Sequence, residues 1–144
     1  MAAKEMHCPE CGCIIDRDLY SADKARQRFF AALRDTWQSL PDHMRRRFPN
    51  SEVLRKHALI AAGHCDVITI IVGTKSGAEN VKSALEAIDR YCIVDMSGGV
   101  LTRYSARSMS RPILKGKEFH EVVHKVTDWI AEQTGIDMDQ REAA

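Results

Sequence analysis

The sequence has no long apolar run and no segment that resembles a secretion signal. Its longest apolar run, Val67–Val72, contains a threonine and falls far short of the roughly 20 residues that a membrane-spanning helix requires. Residues 1–20 are polar and lack the continuous apolar segment of a signal peptide. These absences argue against a membrane protein. They predict a cytoplasmic one.

The chain also lacks an excess of charge and an even set of cysteines. Its formal net charge is +1 over 144 residues, so a basic surface must come from local clustering of cations. It contains five cysteines, of which three lie within Cys8–Cys13. In a reducing compartment, such crowding favours metal ligands over disulfides. The length suits one domain whose core needs no disulfide support.

Most catalytic signatures are absent, including a Ser/His/Asp order, a phosphate loop and a dinucleotide fingerprint. The one enzyme-like motif is HEVVH, from His120 to His124. In zinc peptidases the two histidines hold the metal and the glutamate activates water. The extended motif would need glycine and histidine where this chain has Thr127 and Ile130. We therefore expect a non-enzymatic protein, with a zinc hydrolase as the least favoured alternative.

The segment from His7 to Cys13 reads HCPECGC, which is the pattern of a zinc knuckle. Two thiolates separated by two residues can face one ion, and Gly12 allows the turn to close. A closed zinc site needs four ligands, and a second C-x-x-C pair is absent. We predict a Zn²⁺ site formed by the thiols of Cys8, Cys11, Cys13 and Cys65.

The sequence leaves other ligands open for the same ion. His7, His64, Cys92 or a residue of another chain would complete the coordination equally well. The alternative without metal is an N-terminal tail that carries reduced thiols.

Apolar periodicity and β-branched residues predict the order of elements. Helices are expected over Ser21–Leu40 and Glu52–Ala62, with Ser21 as the N-cap of the first. The run Asp66–Gly73 is rich in β-branched residues and predicts a buried strand. An amphipathic helix over Val81–Ile88 follows.

A hairpin is predicted around Gly98-Gly99, because paired glycines supply the positive φ of a tight turn. The last helix places Phe119, Val126 and Ile130 on one face. The predicted fold class is α+β, with a small antiparallel sheet, including the C-terminal hairpin, packed against about four helices. The predicted organisation is a Cys-rich knuckle or tail over residues 1–20, an α+β domain over 21–136 and a flexible tail over 137–144.

Two basic segments are candidate nucleic-acid-binding sites. One ends at Phe48, whose ring could stack on a base, and the other follows the hairpin and is almost free of acids. In the second, serine hydroxyls can reach phosphate oxygens and Tyr104 can stack. An ordinary solvated charge run is the alternative for both segments. The candidate residues are Arg45, Arg46, Arg47, Arg103, Tyr104, Arg107, Ser108, Arg111 and Lys115.

A glycine turn, a strand, a Ser-rich segment and an acid-Phe pair follow one another in the second half of the chain. They lie at Gly98-Gly99, Val100–Tyr104, Ser105–Met109 and Glu118-Phe119. In this order they resemble the C-terminal half of the phage NinB family, the lambda Orf recombination proteins. The segment Ala25–Leu33 is similar to the basic-aromatic first helix of that family.

The resemblance implies a homodimeric, non-enzymatic protein that binds single-stranded DNA and helps to load a strand-exchange recombinase. Its partners would then be single-stranded DNA and a recombinase or a single-strand-binding protein. The alternative is a phage protein-interaction module that inhibits or recruits a host factor. A knuckle attached to a small α+β body would serve that role as well.

Overall fold

The computed structural model describes residues 5–110, 114 and 116–138, and for residues 15–22 it describes the backbone alone. The described part contains five helices and five strands. None of its helices is long and apolar enough to cross a membrane. In chain order the elements are β1 (Glu5–His7), β2 (Ile14–Asp16), α1 (Arg17–Gln38), α2 (Asp42–Arg47), α3 (Ser51–Ala61), β3 (Cys65–Ile71), α4 (Lys75–Ile88), β4 (Ile93–Ser97), β5 (Val100–Ala106) and α5 (Gly116–Thr134).

The predicted α+β class is confirmed. The main sheet is antiparallel with the strand order β3-β5-β4, and β1 and β2 form a separate hairpin at the knuckle. The structure has one helix more than the four predicted, because α2 lies in the segment expected to be a connection. Pro41 occupies its N-cap position and Asp42 its first turn. An acid in the first turn complements the helix dipole.

The first helix begins earlier than predicted. Its first residue is Arg17, directly after β2, so Ser21 lies inside the helix and is not its N-cap. No glycine or proline separates the strand from the helix, and the helix continues back to the end of the strand. The second predicted helix is confirmed as α3, where the Asn50 side chain accepts a hydrogen bond of 2.9 Å from the Val53 amide.

The predicted hairpin joins β4 to β5. Gly98 has a φ of +60°, a conformation that residues with a Cβ rarely adopt. Gly99 is required for a different reason, since a Cβ there would lie 2.8 Å from the backbone carbon of Gly73. The Val72 amide donates to the Gly99 carbonyl at 2.8 Å. The hairpin is thereby fixed against the end of β3.

The larger core lies among α1, α3 and α5. Buried apolar side chains from all three helices meet there, together with Phe48, Met109 and Leu114 from the connecting segments. Phe29 and Phe119 pack edge to face with ring centroids 6.4 Å apart. The helix that carries HEVVH is therefore a core element through Phe119, Val126 and Ile130, as its periodicity predicts.

The sheet has two different faces. One face is covered by α4 and forms a small second core from Ala78, Val94 and Leu101. The other face carries three cross-strand rows with no helix packed over most of them, and we call it the open face. Its rows are Val67-Tyr104-Ile93, Thr69-Thr102-Asp95 and Ile71-Val100-Ser97.

The prediction that β3 is buried is wrong. Five of its seven residues are exposed, with Val67 at 56% and Ile71 at 80%. The β-branched composition identified a strand correctly, but it could not distinguish a central strand from an edge strand. In the structure, β3 lies at the edge of the sheet, with β5 as its only strand neighbour in the described part of the chain.

The segment between β5 and α5 is held down by a buried arginine. Arg26 of α1 is 8% exposed, and its Nε donates to the Met109 carbonyl at 3.1 Å. Its Nη2 donates to the Leu114 carbonyl, and its guanidinium carbon lies 4.5 Å from the centroid of the Phe119 ring. One cation thus joins the first helix, the exit from the hairpin and the start of the last helix.

Replacing Arg26 with methionine should destabilise the fold. Methionine keeps an apolar stem but leaves two buried carbonyls without their charged donor, a loss of about 2–4 kcal/mol in the free energy of unfolding. Urea denaturation followed by circular dichroism measures it. The same substitution at Arg28, an exposed neighbour on α1, is the control and should cost far less. Equal destabilisation of the two variants would show that the carbonyl contacts contribute little.

A half-buried histidine lies beside the larger core. His57 of α3 packs edge to face on Phe48 at 5.9 Å, and its buried Nε2 has no hydrogen-bond partner among the residues that the structure describes. Burial, and to a lesser extent the charge of Arg47, lowers the pKa of His57 below its usual value. The folded state therefore favours the neutral imidazole.

Stability should consequently fall in mild acid. The unfolded chain protonates His57 near pH 6.5, whereas the folded chain resists protonation. The contribution is therefore complete above about pH 6.5 and is lost as the pH falls through the lower pKa of the folded state. Thermal unfolding between about pH 7.5 and 5.5 should show this decline.

His57→Phe should show a shallower decline, since it keeps the ring contact with Phe48 and removes the titrating group. His43→Gln removes an exposed imidazole from α2 and serves as the control. A decline that is as steep in His57→Phe as in the wild type would assign the effect to other groups.

Candidate nucleic-acid interface

A basic groove of about 460 Å³ lies between α1, α3 and the segment that follows β5. Among the described residues, four cationic side chains contribute to its wall and no carboxylate does. This is a local concentration of positive charge in a chain whose net charge is only +1. We call it the basic groove. Its polar and charged lining residues are Arg26, Arg55, Lys56, Arg107, Ser108 and Ser110.

The α3 wall of the basic groove consists of two neighbouring cations on aromatic rings. The guanidinium of Arg55 lies 5.4 Å from the centroid of Phe30 and binds the Glu52 carboxylate at 2.7 Å. This hydrogen bond lowers the pKa of Glu52. The Lys56 ammonium lies 4.2 Å from the centroid of Tyr91. These contacts orient both cations and restrict the rotamers that binding would otherwise have to fix.

The opposite wall of the groove is formed by the backbone and side chains of the segment that follows β5. The Arg107 amide donates to the His64 carbonyl at 3.1 Å, and its guanidinium binds Asp66 at 2.8 Å. The Arg107 side chain is nevertheless 54% exposed. Ser108 accepts a bond of 3.1 Å from the Ser110 amide through its hydroxyl, while its carbonyl lies 3.0 Å from His64 Nε2. The loop is therefore an ordered wall with an accessible guanidinium.

Two of the sequence-predicted residues, Arg107 and Ser108, line this groove. The sequence analysis missed Arg26, Arg55 and Lys56. Arg55 and Lys56 were visible as adjacent cations on a predicted helix, but nothing local indicated that they face the loop after β5. The place of Arg26 at the groove could not be recognised from the sequence either, because its hydrogen-bond partners lie more than 80 residues further along the chain.

Arg103 and Tyr104 lie on different faces of the sheet, since successive strand residues alternate. Arg103 lies on the face covered by α4, where its Nη2 binds Asp89 at 3.1 Å. Its Nε is buried and has no hydrogen-bond partner in the described part of the chain. Arg103 is therefore not brought into the basic groove. Tyr104 lies on the open face, on the same side of β5 as Ala106 at the edge of the groove.

The arginines of α2 form a separate patch, and two of them brace the helix. Arg45 donates to the Gln38 carbonyl and lies 5.4 Å from the centroid of Trp37. Arg47 donates to Gln133 Oε1 at 2.9 Å and packs over Phe48 at 4.8 Å. Arg46 is exposed and makes no such contact within the described residues.

The expectation that Phe48 stacks on a base is wrong. Its side chain is fully buried in the larger core, where the Trp37 indole donates to the Phe48 carbonyl at 2.6 Å. In the sequence, the position of Phe48 next to three arginines suggests a ring that stacks on a base. In the structure, this ring packs inside the larger core. The remaining candidates, Arg111 and Lys115, lie outside the described residues.

HEVVH lies on the exposed side of α5. His120 and His124 are both exposed, and His124 Nε2 lies 3.4 Å from an Asp128 oxygen one turn on. Glu121 is 3.9 Å from Lys117. These i,i+4 contacts are typical of a solvated helix face. Within the described part of the chain, no carboxylate from another element completes a three-ligand group with the histidines.

The predicted knuckle forms the turn of the β1-β2 hairpin. The Gly12 amide donates to the Cys8 carbonyl at 2.8 Å, and the Cys8 amide to the Cys13 carbonyl at 2.7 Å. Gly12 has a φ of +76°, as a tight turn requires. Cys65 lies in another sheet, with its thiol 3.9 Å from the Ile60 carbonyl. Among the described residues, no three Cys, His, Asp or Glu side chains form a group able to hold a metal.

Comparisons of this chain with protein-family models, curated proteins and solved structures find no match. The NinB hypothesis therefore depends on the motifs given above.

The zinc prediction can be tested separately from the fold. If the knuckle binds Zn²⁺, protein prepared with added zinc should contain about one ion per chain. Cys8→Ser combined with Cys11→Ser should abolish binding, whereas His120→Ala should leave it intact. Elemental analysis after dialysis measures both. Zinc lost with His120 would instead support a hydrolase, and a metal-free wild type would show that the knuckle prediction is wrong.

Proposed function

We propose that this protein is a non-enzymatic, cytoplasmic binding protein for single-stranded DNA and that the basic groove is its phosphate-binding site. The observation that carries the proposal is the convergence of four cations from three parts of the chain on one groove, whose described lining contains no carboxylate. Phosphate contacts supply most of the affinity of proteins that bind nucleic acid without sequence preference.

The groove contains the groups that such binding needs. Arg107 and Lys56 are the accessible cations, and Ser108 and Ser110 add hydroxyl donors that can reach phosphate oxygens. Arg55 and Arg26 contribute positive potential from more buried positions. Phosphate would compete with Asp66 for Arg107, and that exchange is feasible because an exposed ion pair is worth about 1 kcal/mol or less.

The preference for single strands comes from the open face beside the groove. Tyr104 is a half-buried aromatic on a sheet surface, and base stacking on such a residue contributes about 1–3 kcal/mol per base. Bases of a duplex are not available for this contact. A single strand could place its backbone in the basic groove and a base on Tyr104, two residues along β5 from Ala106.

The resemblance of the second half of the chain to the NinB family supports a role for this binding in DNA recombination. In that role the protein would be an accessory factor encoded by a phage, with a recombinase or a single-strand-binding protein as its second partner. A basic groove that holds the backbone without reading bases suits such a role, because strand exchange takes place on any sequence.

The second candidate function is a protein-interaction module, and the exposed apolar side chains of the open face favour it. Val67, Ile71 and Val100 are exposed β-branched residues on one surface, and apolar patches of this kind often mark protein interfaces. Capture of a defined host protein after nuclease treatment, by a variant that no longer binds DNA, would support this function over the first.

The proposed site predicts a specific loss of affinity. Lys56→Ala combined with Arg107→Ala should weaken binding to a labelled oligonucleotide of about 20 deoxythymidines. We expect on the order of a tenfold loss, together with a decrease of about 1.4 in the magnitude of the negative slope of log K against log salt. Fluorescence anisotropy between about 0.05 M and 0.2 M salt measures both.

The matched control is Lys75→Ala combined with Arg90→Ala. It removes the same charge from exposed residues of α4 and the segment after it, on the covered side of the sheet. Unchanged affinity in the folded groove variant, or an equal loss in the control, would show that the basic groove is not the site. Arg46→Ala alone then tests the α2 patch, because Arg46 makes no stabilising contact with the described residues and its removal should leave the fold intact.

A further inference from the structure

The free edge of β3 is the most exposed apolar feature of the sheet. Val67, Ile68 and Ile71 are 56%, 49% and 80% exposed. Seven residues of β3 pair with β5 on one side, and no described strand pairs with the other. An edge of this length presents a row of unpaired backbone donors and acceptors.

This edge lacks the features with which proteins normally block edge-to-edge pairing. Such features are a lysine or inward-pointing charge, a proline, a bulge, or a very short strand. From Val67 to Ile71 the strand has no charge and no proline, and its pairing with β5 continues without a bulge over its whole length. Its one charged residue, Asp66, is near the end and is bound to Arg107.

The sequence of β3 is also self-complementary about Thr69. If two copies pair antiparallel with Thr69 on the two-fold axis, Val67 lies opposite Ile71 of the second copy and Ile68 lies opposite Ile70. Both pairs are apolar and β-branched, a favourable class of cross-strand contact. Thr69 meets its own copy, and two threonines can exchange a hydrogen bond. Asp66 lies opposite Val72, so no like charges meet.

We propose that two copies of this protein form a homodimer through their β3 edges, in this register. The two sheets then join as one antiparallel sheet of six strands with the order β4-β5-β3-β3-β5-β4. The two-fold axis is perpendicular to the sheet, and therefore both open faces lie on the same side. The contact is isologous and closed, so it ends at the dimer and forms no fibre. This inference does not depend on the function of the basic groove.

A charge exchange at the axis tests the register. Wild-type protein should have twice the mass of one chain by light scattering after size exclusion. Thr69→Lys and Thr69→Glu should each be monomeric, because each places two like charges opposite each other. An equimolar mixture of the two should recover the dimer, since lysine then faces glutamate. Recovery by mixing cannot come from misfolding of the single variants.

Two exposed isoleucines supply a matched control for the surface. Ile71→Lys should dissociate the dimer, and Ile88→Lys on α4, where the side chain is 84% exposed, should leave it intact. A monomeric wild type would overturn the proposal. The partner of the β3 edge would then have to be a different polypeptide. A dimer that survives Ile71→Lys and Thr69→Lys would overturn it as well, by assigning association to another surface.

Hydrogen exchange provides a second measurement if a variant fails to fold. In wild-type protein, the β3 amides that point away from β5 should be protected at high protein concentration and should exchange faster on dilution. Equal exchange at all concentrations in a sample that remains dimeric would contradict pairing at this edge.

Discussion

The contact of Arg26 with the segment after β5 is the constraint on which the rest of the structure depends. This segment must pass from the end of the sheet to the start of α5, and two of its carbonyls point into the interior at Met109 and Leu114. Buried carbonyls need hydrogen-bond donors, and a buried cation needs acceptors. The Arg26 guanidinium and the two carbonyls therefore satisfy each other. The arrangement fixes the sheet against the helical core, and it sets one wall of the basic groove at the same time.

The placement of charge follows from this arrangement. Arg107 and Ser108 directly precede the anchored Met109, so their positions are set by a buried contact while their side chains remain accessible. On the facing helix, Lys56 and Arg55 are held over Tyr91 and Phe30. Preorganised cations lose less conformational entropy on binding a ligand than mobile ones do. A chain with almost no net charge can in this way present a locally positive surface, as the proposed DNA binding requires.

Local chemistry in the sequence determined which elements could be predicted. The helix α3, the Gly98-Gly99 turn and the apolar stripe of α5 were predictable, because each depends on residues a few positions apart. The exposure of β3 and the groove contacts of Arg26 and Lys56 were not, because they depend on which elements become neighbours. Phe48 shows the limit most clearly. Its environment next to three arginines indicated a surface ring, whereas Trp129, some 80 residues later, contributes to the core that buries it.

The geometry of β3 joins the two proposals. The basic groove lies at the end of the sheet where Cys65 pairs with Ala106, four residues from Thr69. Pairing about Thr69 would place the two grooves roughly 30 Å apart, from the rise per residue and the spacing of strands. Both open faces would then lie on one side, so one strand of DNA could reach both grooves. Binding to the second groove would be intramolecular, and affinity would rise sharply once the oligonucleotide spans the gap. The monomeric Thr69→Lys variant keeps its groove and should show no such rise with length.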